Sequence, residues 1–322
     1  MDLKIVRALI YGHAIGDALG VPVEFSSRTE RMVSPVTSMR SNFAREFPAG
    51  TWADDTSLSI ALLESLGRLG KIDYTDIMDN FVKWYDDDEF TALGDPVDEV
   101  GMRTSTAILG FKCGMDPTNC GGEEESDNGN GSLMRVDPIA LYLHEKFGEN
   151  LATDESMEIV HNISSLTHAH ARSKIACGIL ILILNEILNG AKDLKIAIRD
   201  GISKAREFYS AREDYVNEFS ENFARVSSEN FAETSRDDIH SSGYVIDTLE
   251  ASIWCLLNSK DYSECVLKAV NLGIETNTTA AVAGGVAGLF YGFDAIPAQW
   301  IDTLQAKSLL DEICEKFASQ TF

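Results

Sequence analysis

The stretch Gly50-Thr51-Trp52-Ala53-Asp54-Asp55-Thr56-Ser57 sets two adjacent carboxylates after a small-residue turn. Directly behind it, Leu58, Ala61, Leu62, Ser65, Leu66 and Leu69 recur three and four residues apart, the spacing of one face of an α-helix. Asp54 and Asp55 therefore fall at a helix N-terminus. One can cap the exposed amides there, and the helix dipole favours the charge. For a lone Asp-Asp that explanation suffices. Two neighbouring carboxylates with a hydroxyl beside them are also hard-oxygen ligands for Mg²⁺ or Mn²⁺. The rest of the chain decides between the two.

The helical period recurs along the chain. Residues 2–19 place Leu3, Val6, Ile10 and Ala14 on one face, with Gly12 and Gly16 one turn apart so that another helix can approach closely. Gly20, Val21 and Pro22 end that helix. Residues 26–50 lack a period and predict a long loop. Asp73 is placed to cap a helix with Ile77, Phe81, Trp84 and Tyr85 inward, and the acidic run at 86–89 reads as a solvated face. A short helix is expected over 104–111. Residues 112–131, rich in Gly, Asn and acid, predict a second long loop, and long loops in compact domains are often functional. Further helices are expected near 138–147, 155–165, 171–189, 193–209, 244–258 and 262–271, with a polar, partly helical insertion at 211–242. Residues 280–289 are Ala/Gly-rich and predict a tightly packed central helix, and Ile296-Pro297 opens the last one. Alternating strand patterns are nearly absent. The pattern is that of an all-α protein, a single compact multi-helix domain over residues 1–322.

Composition narrows the function. The chain has 322 residues, 44% of them hydrophobic, enough for a large core. With 27 Lys+Arg against 51 Asp+Glu, its net charge is −24. Such a surface repels nucleic-acid phosphates and anionic lipid, so neither is expected as a partner. An anionic substrate then needs a local patch of donors or a metal. The start Met1-Asp2-Leu3-Lys4-Ile5 lacks the pattern of a signal peptide, and the most apolar run, 175–188, contains Asn185 and Glu186 and reads as a buried core helix. Cys177, Cys255 and Cys265 lie in apolar helical patterns, as reduced core residues do. Cys113 and Cys120 flank a loop, with no second Cys/His pair at zinc spacing. A cytoplasmic monomer is expected.

Four stretches carry more polar chemistry than a helical bundle needs. The first joins Glu24, set between Val23 and Phe25, to Asp54-Asp55-Thr56. The second is Asp127-Asn128-Gly129-Asn130-Gly131-Ser132-Leu133-Met134-Arg135, whose glycines let backbone N–H groups approach a phosphate, although neither a Walker loop nor a dinucleotide fingerprint is present. The third, Ser165-Leu166-Thr167-His168-Ala169-His170, has two histidines but no further N/S ligand, so capping and packing explain it as well as metal does. The fourth, Gly273-Ile274-Glu275-Thr276-Asn277-Thr278-Thr279, offers side-chain oxygens at the mouth of a small-residue helix, where capping is the simpler role for any one of them.

Together, in this order, the stretches resemble the ADP-ribosylglycohydrolase family, of the dinitrogenase-reductase-activating glycohydrolase type. Gly16-Asp17-Ala18-Leu19-Gly20, Pro138, Ser242-Gly243-Tyr244-Val245 and Trp300 complete the match, which covers roughly residues 5–304. The resemblance implies an all-helical fold and a two-metal Mg²⁺ or Mn²⁺ centre. It also implies hydrolysis of the bond between ribose C1″ of ADP-ribose and an acceptor, often arginine, on a protein or small molecule. By position, Asp54, Asp55 and Thr278 would be metal ligands, with Glu275 and Asn277 beside them. Glu24, Asp55 or Asp127 would serve as general base. Asn130, Gly131, Ser132 and Met134 would line the ribose and diphosphate pocket, and His168 and Tyr244 would hold the ADP-ribose.

This chain departs from the family pattern at four places. Ala53 stands where Thr or Ser is usual, Glu99 where Asp is common, and Glu275 and Asn277 at the two Asp positions of the last motif. Asn277 removes an anion and keeps one carbonyl oxygen, so weaker binding of one ion is expected. Two functional classes follow: an active ADP-ribosyl hydrolase, or an ADP-ribose-binding or structural protein with a degraded metal site. The retained carboxylates favour the enzyme. Hydrolysis of another N-glycosidic bond would use the same residues.

Overall fold

Helices form where the sequence supplies a cap and a periodic apolar face. The computed structural model describes residues 1–42, 44–95 and 100–322, and among these 15 α-helices carry the fold. Helix α1 (Leu3–Gly20) starts at Asp2, whose carboxylate accepts from Lys4 N–H at 2.8 Å. A reciprocal capping box of Ser27 and Glu30 opens α2 (Arg28–Val33). Next come α3 (Asp54–Leu69), α4 (Tyr74–Asp87) and α5 (Met102–Lys112). After a long loop follow α6 (Pro138–Phe147), α7 (Asp154–Ser165), α8 (Ala171–Leu188), α9 (Leu194–Ser210) and α10 (Glu213–Asn222). The chain ends with α11 (Val245–Leu257), α12 (Tyr262–Val270), α13 (Thr276–Tyr291), α14 (Ala298–Thr303) and α15 (Lys307–Ala318).

The axis of the molecule is the pair α1 and α13, both buried along most of their length. Their backbones touch. A Cβ built on Gly12 would lie 2.5 Å from the Gly284 carbonyl oxygen, and one on Gly16 would lie 2.5 Å from the Ala280 carbonyl carbon. The Thr276 hydroxyl donates to the Gly20 carbonyl at 2.9 Å, tying one end of the seam, and the Tyr262 hydroxyl at the start of α12 donates to the Gly12 carbonyl of α1 at 2.7 Å. The apolar run at 175–188 is the buried α8, and no helix among the described residues is long and apolar enough to cross a membrane.

Two expectations change. The aperiodic segment 26–50 contains α2, a helix short enough to be set by its capping box alone. Ile296-Pro297 opens α14, and one more helix follows, α15, which buries Leu310, Ile313, Cys314 and Phe317 against α1 and α3. The insertion at 211–242 holds α10 and two single 3-10 turns. All six cysteines are free. Glu99 lies outside the described residues.

The loop at 112–131 is ordered by its neighbours. Gly121 N–H donates to the Ser165 carbonyl at 2.9 Å, and Ala169 N–H to that of Gly122 at 2.8 Å. On its far side, Asn130 N–H donates to the Gly243 carbonyl at 2.9 Å, and Val245 N–H to that of Asn128 at 3.0 Å. The Gly-rich turn is thus laced between the third motif and the start of α11.

Candidate active site

The four polar stretches meet in one cleft of about 480 Å³. Its walls include Glu24 and Asp54, the turn residues Gly129, Asn130 and Gly131, Met134, His168, and Glu275, Asn277 and Thr278. The N-termini of α3, α5 and α13 open on it, each bringing the positive end of a helix dipole.

Helix α3 begins at Ala53, which has no side-chain oxygen to cap it. Asp17 of α1 takes that role. Its Oδ2 accepts from Ala53 N–H at 3.0 Å, Thr56 N–H at 3.1 Å and the Thr56 hydroxyl at 2.7 Å. Sequence reasoning quoted Asp17 but gave it no task. The available signal was a lone acid between Gly16 and Ala18 on a helix buried all round. Behind it, His13 Nδ1 pairs with Asp137 Oδ2 at 2.9 Å.

Asp55 is fully buried and joins the last motif: Asn277 Nδ2 donates to its Oδ2 at 2.9 Å. Asn130 Nδ2 in turn reaches Glu275 Oε2 at 3.3 Å and the Thr248 hydroxyl at 3.0 Å. The second, fourth and first motifs are therefore one hydrogen-bonded chain. The Asn277 amide also explains itself here. An acid in its place would repel Asp55, whereas the amide donates to it.

Glu24 and Glu275 are aimed by an unusual pair of residues. Phe25 and Ile274 both take left-handed backbone, φ 60° and 62°, at a cost of about 1–2 kcal/mol each for residues other than glycine. Phe25 N–H donates to the Ile274 carbonyl at 2.8 Å and Ile274 N–H to that of Ser26 at 2.7 Å. The crossed bonds hold the two glutamates at the same cleft.

The electrostatics are those of a site short of positive charge. Burial, then the charge of Asp17, pushes the Asp54 carboxyl up to about 7 and that of Asp55 well above its ordinary range. The Oδ1 atoms of Asp17, Asp55 and Asn277 are buried without a protein hydrogen-bond partner. Among the described residues no three His, Cys, Asp or Glu side chains converge as a metal cluster, so any ion would draw on amide and hydroxyl oxygens as well. Asp54, Asp55, Asn277, Thr278 and Glu275 are the residues that could hold one. An oxygen-only set with orphaned buried acceptors fits a hard divalent cation.

His168 is buried beneath the turn. Burial, reinforced by the charge of Arg135, lowers its pKa to about 3, so the imidazole is neutral. A Cβ on Gly131 would lie 2.8 Å from its Cε1, and one on Gly129 3.4 Å from its Nε2. The glycines thus admit the imidazole as well as exposing amides. Gly131→Ala should lift the turn off His168, lowering stability by about 1–3 kcal/mol and weakening ADP-ribose binding at least tenfold by calorimetry, which is about 1.4 kcal/mol. Wild-type affinity in that variant would detach the turn from the ligand.

Besides the fully buried Asp55, three further predicted residues stand apart from the cleft wall. Asp127 is held by Arg103 Nε at 2.6 Å and by Glu124 N–H at 3.1 Å. Ser132 is fully buried and accepts from the Ser164 hydroxyl at 3.0 Å. Tyr244 stands just before α11, next to Gly243, with the Arg172 guanidinium 5.7 Å from its ring centre. Arg103 lines the cleft and was missed, because nothing around it in sequence marks it as a site residue.

The sequence matches the family described as ADP-ribosylglycohydrolase over residues 2–321. It is 30% identical to a Serratia proteamaculans protein named ADP-ribosylarginine hydrolase Tri1, over 98% of this chain and 79% of that one. It is 28% identical to the ADP-ribosyl-[dinitrogen reductase] glycohydrolase of Rhodospirillum rubrum, over 92% of this chain and 88% of that one. A solved structure described as an ADP-ribosylglycohydrolase-related protein complex superposes with a TM-score of 0.78 at 27% identity, covering 99% of both chains.

Proposed function

The chain belongs to the ADP-ribosylglycohydrolase family, and from that premise we propose that it frees ADP-ribose from an arginine guanidinium, on a modified protein or a small molecule, with Mg²⁺ or Mn²⁺ bound. The observation that carries this reading is the meeting of Asp54, Glu275, Asn277 and Thr278 with the Gly-rich turn in one cleft. The names of the relatives support arginine as acceptor.

Two ions held by Asp54, Asp55 and Thr278, with Glu275 and Asn277 beside them, would supply charge to bind the ribose diol and to acidify a water. The rest falls to the chain. Backbone amides of Gly129 and Gly131 and the guanidinium of Arg103 take the diphosphate, which an acidic surface would otherwise repel. Neutral His168 supports the turn without adding charge. As the C–N bond lengthens, positive charge grows on the ribose, and Glu24 and Asp54 stabilise it. Of the three candidate bases, Glu24 lines the cleft and is best placed to take a proton from the attacking water.

The deciding experiment is release of free ADP-ribose from an ADP-ribosylated arginine peptide with Mg²⁺, with Mn²⁺ and with chelator. Release with metal and none with chelator is expected. A silent wild type beside an active Glu275→Asp/Asn277→Asp double variant would leave ADP-ribose binding as the function. Asn277→Asp alone should tighten metal binding about tenfold in equilibrium dialysis, since charge count sets affinity for hard cations. An unchanged isotherm would remove Asn277 from the ligands.

A further inference from the structure

A second, smaller cavity of about 80 Å³ adjoins the cleft. The two share Glu24 and Asp54 and otherwise have different walls. The smaller one is lined by Phe47, Trp52, Trp84, Leu93, Asp95 and Arg45. Its rings are fixed: Trp84 is 1% exposed, and Trp52 Nε1 donates to the Gln305 carbonyl at 3.2 Å. If ADP-ribose fills the large cleft and the scissile bond lies at the shared carboxylates, the leaving group has this pocket to occupy. Indole rings with acids at the rim suit a flat, weakly hydrated cation.

Such a cation is already there. Arg45 Nη1 lies 3.2 Å from Glu24 Oε2. Its loop is closed by paired bonds between Asn42 and Phe47, at 2.9 and 3.0 Å, and Asn42 Oδ1 accepts from the N–H groups of Ala44 and Arg45 at 3.1 and 3.3 Å. Glu46 turns the chain in left-handed backbone, φ 58°. Arg45 is thus delivered to the pocket by a built loop.

We propose that Arg45 is a resident guanidinium in the leaving-group pocket, one that an acceptor guanidinium must exchange for on Glu24. Arg45 then sets how tightly this side of the substrate is held, and its return to Glu24 helps expel the freed arginine. The inference rests on the arginine-linked substrate proposed above. The Arg45–Glu24 pair keeps some contact with water, its side chains 27% and 14% exposed, so Arg45 competes with the acceptor for Glu24 instead of sealing the pocket.

The test is binding of methylguanidine, followed by NMR titration of wild type, Arg45→Ala and Arg45→Gln, with no turnover required. Both variants should bind it about twofold to fivefold more tightly than wild type, the range expected from removing a partly exposed competing pair. ADP-ribose affinity, measured in parallel, should not change. Equal methylguanidine affinity in all three proteins, no binding in any of them, or a parallel change in ADP-ribose affinity would overturn the proposal. Tighter methylguanidine binding without ADP-ribose release from arginine peptide by any of the three would uphold the pocket and retire the arginine hydrolase.

Discussion

Asp55→Asn is expected to abolish ADP-ribose release and, at the same time, to raise the stability of the metal-free protein. The first effect follows from its place. Asp55 is the carboxylate at which α3, α13 and the capping residue Asp17 meet, and it accepts from Asn277. Losing its charge should cost at least about 100-fold in rate, the lower end of what a positioned acid–base or charge-stabilising group contributes. The second effect follows from linkage. Burial and the nearby charges of Asp17 and Asp54 hold the Asp55 carboxyl well above its ordinary 3.8. An acid with a raised folded-state pKa binds its proton more tightly folded than unfolded. The Asp55 contribution to wild-type stability is therefore greatest below the unfolded value and falls as pH rises from there toward the folded one. Asparagine does not titrate, and its carbonyl can still accept from Asn277. The variant's advantage should be absent in acid, grow as pH rises above about 4, and reach about 1–3 kcal/mol near neutrality, the cost of a buried charge without a partner. Adding Mg²⁺ or Mn²⁺ should reverse the order, because an ion that binds only the folded wild type stabilises it by mass action. Melting curves at pH 5 and pH 8, with and without metal, read all of this. A variant less stable than wild type without metal would make Asp55 a structural acid, and unchanged release of ADP-ribose would end its assignment to the site.

Much of this was legible in the chain because it is local. The period behind Asp54-Asp55 marks α3, Asp73 caps α4, and the apolar run at 175–188 is α8. The motif order also anticipates that Asp54, the Gly-rich turn and Glu275 to Thr278 share a cleft. What escaped is tertiary. Asp17 replaces the cap that Ala53 lacks, and only the crossing of α1 and α3 reveals it. Arg45 and Arg103 sit in unremarkable loop and helix sequence, and their partners Glu24 and Asp127 are more than twenty residues away. Ser132 has the look of a ligand hydroxyl, yet the tight turn directs it inward to Ser164. The α15 pattern of Leu310, Ile313, Cys314 and Phe317 was readable in principle, since those spacings are helical.

Gly16→Ala should destabilise the protein by at least about 3 kcal/mol, although it adds one methyl group. The added carbon would lie 2.5 Å from the Ala280 carbonyl carbon and 3.0 Å from the Ala281 nitrogen, both backbone of a helix that is buried throughout this stretch. No flexible side chain can give way, so α1 and α13 must separate. Separation works against the Thr276 bond to Gly20 and opens apolar contacts on both helices. A drop of about 5–10 °C in melting temperature is the corresponding readout for a chain of this size. Gly101→Ala is the control, because among the described residues its Cβ would meet nothing closer than Thr104 Oγ1 at 3.8 Å, and its melting temperature should not move. The same variant also tests why the seam is made of glycine. Asp17 follows Gly16 on α1, and Asn277 lies one turn before Ala281 on α13, so close approach is what lets both reach the start of α3. Gly16→Ala should therefore lose most of the metal-induced rise in melting temperature, which simple loss of core packing would leave in place. If the variant melts lower but keeps the full metal response, the seam serves stability alone, and the ion site does not depend on how closely the two helices meet.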